Sequence, residues 1–259
     1  MGDGVAPPIA MCVVCGLTLC GCAPKQRPIL NGLAWEDPEQ RWWVRLWRTA
    51  LAASVEPQRF FGELPPGNMT AALTFATCAE VFALGSLALP AAFALWWLAP
   101  ELVRQVLADP AACGMLALSW VAFVVCMLAL HALWGACLQW GAQLPVRAGW
   151  PDLQGTRNVG RSGVRFGLYA CGWDLLTSPI GLLATLLVHG PRRAWAPIGA
   201  AVRAPGLAQR AYLERGLGAD GAAQRRARRL SVLVLSGGML LVIALFATVV
   251  LSLARRFGY

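Results

Sequence analysis

Glu80, His131 and Asp174 are ionisable side chains set deep in otherwise charge-free apolar runs, and they are where this chain could do chemistry. A helical rise of ~1.5 Å per residue puts Glu80 roughly 12–14 Å in from the near end of its run, and His131 about as far from the end of the next. Asp174 lies about ten residues into a further apolar run, at a comparable depth. A charge so placed costs at least ~2.5 kcal/mol unless it is paired. A Glu80–His131 pair with Asp174 nearby would relieve that cost. Such a layer could serve as a proton or ion site, or as an internal polar clasp with its carboxyls protonated.

A second constellation is Cys12-x2-Cys15-x4-Cys20-x-Cys22, four thiols within eleven residues. A structural zinc site needs four thiolates in tetrahedral array, and the Cys-x2-Cys-Gly knuckle supplies half of one. Zinc is therefore the metal this cluster would take. Its spacing is tighter than that of ordinary ribbons, whose two pairs lie a dozen or more residues apart. Unliganded thiols and a lipidated Cys22 are the other readings. The second suffers from the missing Lys or Arg before the apolar stretch and from Asp3. Nucleophile elbows, phosphate loops, dinucleotide fingerprints and zinc-protease motifs are absent, so the sequence reads as non-enzymatic.

The elements that must position these groups are apolar runs: Ala71–Ala99, Ala112–Trp140, Leu230–Ala254 and a broken fourth, Val164–His189. Each of the first three exceeds the ~20 residues that cross a ~30 Å hydrocarbon core. The chain is 58% hydrophobic and 14% charged, against ~25% charged in soluble domains. Its net charge of +9 is nearly all arginine, with Lys25 the single lysine. These arginines flank the apolar runs, which points to topology and lipid headgroups rather than to nucleic acid. Cys78, Cys113, Cys126, Cys137 and Cys171 lie in or beside the runs and read as small hydrophobes.

Three stretches follow: a cysteine-rich segment at 1–34, an interfacial amphipathic helix with its turn at 35–69, and a helical bundle at 70–259 with a basic loop at 190–229. In the second, Trp43, Leu46, Trp47, Ala50 and Leu51 recur at helical spacing on one face, with Arg41, Arg45 and Arg48 on the other. With Trp42, these residues describe a basic, Trp-rich helix lying in the membrane interface. The positive-inside rule puts the N-terminus and the 141–163 loop in the cytoplasm and 100–111 outside. The 190–229 segment carries nine arginines, so Val164–His189, broken at Thr177-Ser178-Pro179, reads as a re-entrant hairpin. One kinked span, placing the basic segment outside, is the alternative. The fold class is an all-α polytopic transmembrane bundle of four to five membrane segments with a short N-terminal cysteine knuckle.

The order of parts, from the cysteine knuckle through Trp35-Glu36 to Pro57, Phe60, Phe61 and Pro65, resembles bacterial members of the Yip (Rab-GTPase-interacting) membrane protein family. The resemblance covers about residues 12–190. It implies five membrane segments with a cytoplasmic, zinc-ribbon-like N-terminus. The expected role, read from the chain as a whole, is a non-catalytic membrane organiser or docking scaffold at the bacterial inner membrane. The expected partners are the lipid bilayer and an acidic protein or a second copy of the chain. The competing reading is a small ion or proton-coupled transporter using Glu80, His131 and Asp174.

Overall fold

The computed structural model of the chain describes residues 33–65, 67–143, 159–256 and 258. Cys12, Cys15, Cys20 and Cys22 lie outside the described residues, as do Arg147 and Arg157. The described residues are helical and contain no strands. A short turn at Ala34–Glu36 leads to α1 (Trp42–Val55), α2 (Pro57–Gly62), α3 (Met69–Leu98), α4 (Pro100–Ala108), α5 (Pro110–Gln143), α6 (Val159–Thr177), α7 (Pro179–His189), α8 (Pro191–Ala211), a π-turn at Tyr212–Gly216 and α9 (Gly221–Arg256).

Three of these, α3, α5 and α9, are long and apolar enough to cross a membrane. Their most apolar stretches bury only 11%, 11% and 6% of their residues within the protein, so most of that surface is left to face a non-polar solvent. The protein's own core sits at one end. Buried residues of α3 stop at Ala83, and those of α5 cluster between Leu130 and Ala142. There Phe61, Phe75, Phe166, Tyr169 and Tyr212 are fully enclosed. Phe166 stacks on Tyr212 at 4.6 Å and meets Phe61 at 4.7 Å, and Trp134 closes the cluster at 5.1 Å from Phe166. Burying each such ring contributes about 1.5–3 kcal/mol.

Chain direction follows from close contacts. Gly135 of α5 lies against Gly163 and Gly167 of α6, and Gly167 lies on the carbonyl of His131, so α5 and α6 run antiparallel. Ala227 of α9 faces Gly141, Gly238 faces Leu130, and Arg256 Nε donates to Asp109 Oδ2 at 2.6 Å, so α9 runs back along the full length of α5. The hydrogen bond from Arg256 holds the Asp109 carboxyl below the usual aspartate range. This tie is complete above that range and is lost as pH falls through the depressed value. Both α6 and α9 thus begin at the end where α5 finishes.

The break in the fourth apolar run falls at Ser178, where α6 and α7 meet at a 69° bend. Pro179 forces its predecessor into extended backbone, and Ser178 caps α7 by accepting from Gly181 N–H at 3.3 Å. Gly190, at φ 73°, makes the second corner into α8.

Three expectations need correction. The 190–229 stretch is not a loop: it forms α8, the π-turn and the first turns of α9. The 100–111 connection holds a short helix, α4, set between Pro100 and Pro110. In α1 the inward stripe is Leu46, Thr49, Ala50 and Ala53, because α6 and α8 cover that side; Trp42 and Trp43 stay exposed while Trp47 is half-buried. Arg41 lies over the Trp43 ring and Arg48 donates to Gln40, but Arg45 turns inward. It lies 5.2 Å over Trp35 and donates to the Asp37 carbonyl, since the Ala34–Glu36 turn folds back beside α1.

That turn is held by a buried guanidinium. Arg165 Nη2 donates to Glu36 Oε1 at 2.7 Å, its Nη1 donates to the Pro65 carbonyl, and Tyr169 Oη donates to the same Glu36 oxygen at 2.8 Å. Trp35 Nε1 donates to the Ala71 carbonyl at 2.7 Å. Glu36→Ala should destabilise the protein by about 2–4 kcal/mol, somewhat below a fully buried pair because Glu36 is partly exposed. The loss should appear as faster tryptic cleavage after Arg41 and Arg48; an unchanged cleavage rate would show that the turn is not anchored by this pair.

Candidate functional site

The groups that sequence reasoning singled out come from three helices. Glu80 on α3 is fully buried among the small residues Ala76, Ala79 and Ala83. His131 is on α5, and Asp174 is on α6. Small-residue packing sets their separation. A Cβ built on Gly135 or Gly167 would fall inside a backbone carbonyl of the facing helix, at Gly163 and His131 respectively. The helices therefore touch backbone to backbone, as small-xxx-small pairs such as Gly163-x3-Gly167 allow. Gly163 N–H also donates to Gln139 Oε1 at 2.6 Å, binding the two helices one turn away.

This approach brings the His131 ring between two carboxyls. Its Nε2 lies 3.2 Å from Asp174 Oδ2 and its Nδ1 lies 3.5 Å from Glu80 Oε1. Nδ1 is closer still, at 3.0 Å, to the Met127 carbonyl. A carbonyl only accepts, so Nδ1 carries a proton directed at Met127. Nε2 is left to share a proton with Asp174: either an imidazolium donates to carboxylate, or a protonated carboxyl donates to neutral imidazole. Glu80 is worse served. Both of its oxygens are buried and neither makes a well-formed hydrogen bond among the described residues, although the Cys171 thiol and the Asp174 carboxyl lie beside it. The Asp174 side chain is 37% exposed, against 12% for His131 and 0% for Glu80, so the cluster opens outward along that order.

Cys171 is the member that sequence reasoning missed. It is fully buried and sits one turn before Asp174 on the same face of α6. Ligand atoms of Glu80, His131 and Cys171 lie within 4.8 Å of one another. The available signal was its i, i+3 spacing from Asp174, which a reading of intramembrane cysteines as small hydrophobes passes over. A cavity of about 360 Å³ lies elsewhere, between Trp35, Glu36, Arg45, Asn68, Ala71 and Thr74, near the anchored turn.

Comparison with protein-family models, with curated proteins and with solved structures finds no match for this chain. The Yip-type resemblance accordingly rests on its own residues. Of those residues, Glu36 and the Pro65 carbonyl lie on Arg165, Phe60 lies on Tyr169 at 5.8 Å, and Phe61 lies between Phe166 and Trp173.

A double-mutant cycle of Glu80→Gln and His131→Gln, read by thermal unfolding in detergent, should give a coupling of about 0.5–3 kcal/mol. Strict additivity would mean that the two side chains do not act together. Gly167→Leu should cost at least ~1–3 kcal/mol by forcing α5 from α6, seen as aggregation on gel filtration; a monodisperse, equally stable variant would refute the backbone contact.

Proposed function

We propose that this chain is an integral membrane protein of Yip-like plan. In this reading it is a non-catalytic organiser that holds a basic, aromatic platform at the cytoplasmic face of the bacterial inner membrane and docks an acidic partner there. The observation that carries it is the division of the molecule into two ends. The enclosed aromatic core and the helices α1, α2 and α8 gather where Arg210, Arg215, Arg225, Arg226, Arg228 and Arg229 lie, whereas α3, α5 and α9 extend beyond as apolar, uncovered helices. Packed platform and bare helices are what a protein with one aqueous face and a lipid-embedded remainder needs. Exposed Trp42 and Trp43, with Arg41 beside them, suit the headgroup level. The arginines of early α9 suit anionic lipid or an acidic protein surface.

A re-entrant α6–α7 pair, giving five membrane segments, belongs to the same proposal. The 69° bend at Ser178 and the return of α9 to the C-terminal end of α5 support it, since one full crossing would leave 190–220 at the opposite end. Zinc at the N-terminal cysteines, which lie outside the described residues, belongs to the same proposal.

With Arg104→Cys and Asp220→Cys introduced separately, an impermeant maleimide should label the first on intact cells and the second only after permeabilisation. Labelling of both from outside would remove the re-entrant topology and the cytoplasmic platform together. The transporter reading is favoured by one feature, the outward opening of the Glu80–His131–Asp174 cluster at Asp174. Proteoliposomes should show no proton or ion flux above that of empty vesicles; a flux abolished by Glu80→Gln would replace the scaffold with a transporter.

A further inference from the structure

We propose that Glu80, His131 and Cys171, with Asp174 as fourth donor, form a binding site for one divalent transition-metal ion of the zinc class, tying α3, α5 and α6 together. This site is separate from the N-terminal cysteine cluster and does not depend on the scaffold reading.

The donor set is the first argument. One thiol, one imidazole and two carboxyls converge from three helices, and ligand atoms of the first three already lie within 4.8 Å of one another. A tetrahedral zinc ion with bonds of about 2.0–2.3 Å separates its ligands by roughly 3.3–3.8 Å. The three ligand atoms therefore need to draw together by up to about 1.5 Å. Asp174 Oδ2, 3.2 Å from His131 Nε2, is placed to complete four-coordination. A sulfur ligand disfavours magnesium and calcium, which take oxygen, and the mixture of S, N and O suits a borderline ion.

The second argument is what the cluster lacks. Glu80 is fully buried with neither oxygen in a well-formed hydrogen bond among the described residues, and it points at His131. A buried carboxyl without a well-formed hydrogen bond is costly, and among the described residues no arginine or lysine is paired with it. A cation between Glu80 and Asp174 supplies the missing charge. The His131 Nδ1–H is fixed on the Met127 carbonyl, as in many metal-binding histidines, and Nε2 faces Asp174 Oδ2, so an ion bound there takes the place of the proton the two share. On binding, the Cys171 thiol and any protonated carboxyl give their protons to solvent as the metal–ligand bonds form. Asp174 is the member with the most exposed side chain.

The test uses the full-length chain in nanodiscs with Cys12, Cys15, Cys20 and Cys22 replaced by Ser, stripped with chelator and titrated with Co²⁺. The expected result is one bound equivalent, with the intense visible bands of a tetrahedral cobalt ion and a thiolate-to-cobalt band, both erased by added Zn²⁺. Cys171→Ser should remove the thiolate band. Glu80→Gln and His131→Gln should each weaken Co²⁺ binding by at least about tenfold, with helix content by circular dichroism as the control for folding. Absence of stoichiometric cobalt in the parent protein would overturn the site, whatever the variants do. So would spectra that Cys171→Ser leaves unchanged. Neither result would alter the maleimide labelling of Asp220→Cys, so the two proposals fail separately.

Discussion

Direct backbone contact between α5 and α6 is the constraint on which the other features of this molecule depend. Side chains at 135, 163 and 167 would hold the helices apart, and glycine at all three lets the His131 carbonyl lie on Gly167. From that contact follows the meeting of His131 with Asp174 and Cys171. The position of Phe166 and Tyr169 follows too, because they flank Gly167 and are carried into the aromatic core. In lipid, where no hydrophobic force separates one apolar helix from another, such close packing decides which helices associate.

Around that seam the molecule resolves two opposed demands. Backbone and arginine side chains need water or a partner, and the apolar surfaces of α3, α5 and α9 need its exclusion. The packed aromatic end meets the first demand. Arg165, nearly inaccessible, is held there through its two terminal nitrogens by Glu36 and the Pro65 carbonyl and lies over the Tyr169 ring, so one charge organises three otherwise separate stretches of chain. The polar cluster of Glu80, His131, Cys171 and Asp174 lies where this end gives way to the uncovered helices. Exposure within it falls from Asp174 through His131 to the fully enclosed Glu80, so each polar group is the more dependent on its neighbours the deeper it lies.

Much of the architecture was legible from the chain. The three long apolar helices follow from length and hydropathy alone, and the break at Thr177-Ser178-Pro179 follows from proline's effect on its neighbour. A helix converts residue number into height, and Glu80, His131 and Asp174, at comparable depths in their runs, lie beside one another. Rotation about the helix axis is the quantity that sequence states poorly. The inward stripe of α1 differs from the spacing-based one because α6 and α8, and not the bilayer, take its inner side. Arg45 was read as outward for the same reason, although a folded-back turn covers it.

Sequence by itself determined that the three long apolar helices exist, where the fourth apolar run breaks and at what heights the ionisable groups stand, because these depend on local covalent geometry and hydropathy. Tertiary structure alone decided which faces meet. It recruited Cys171 to the polar layer, drew Glu36 to Arg165 across 129 residues of chain, and turned a basic stretch read as a loop into α8 and early α9. Those outcomes rest on contacts between segments distant in the chain, for which no spacing rule within one segment carries information.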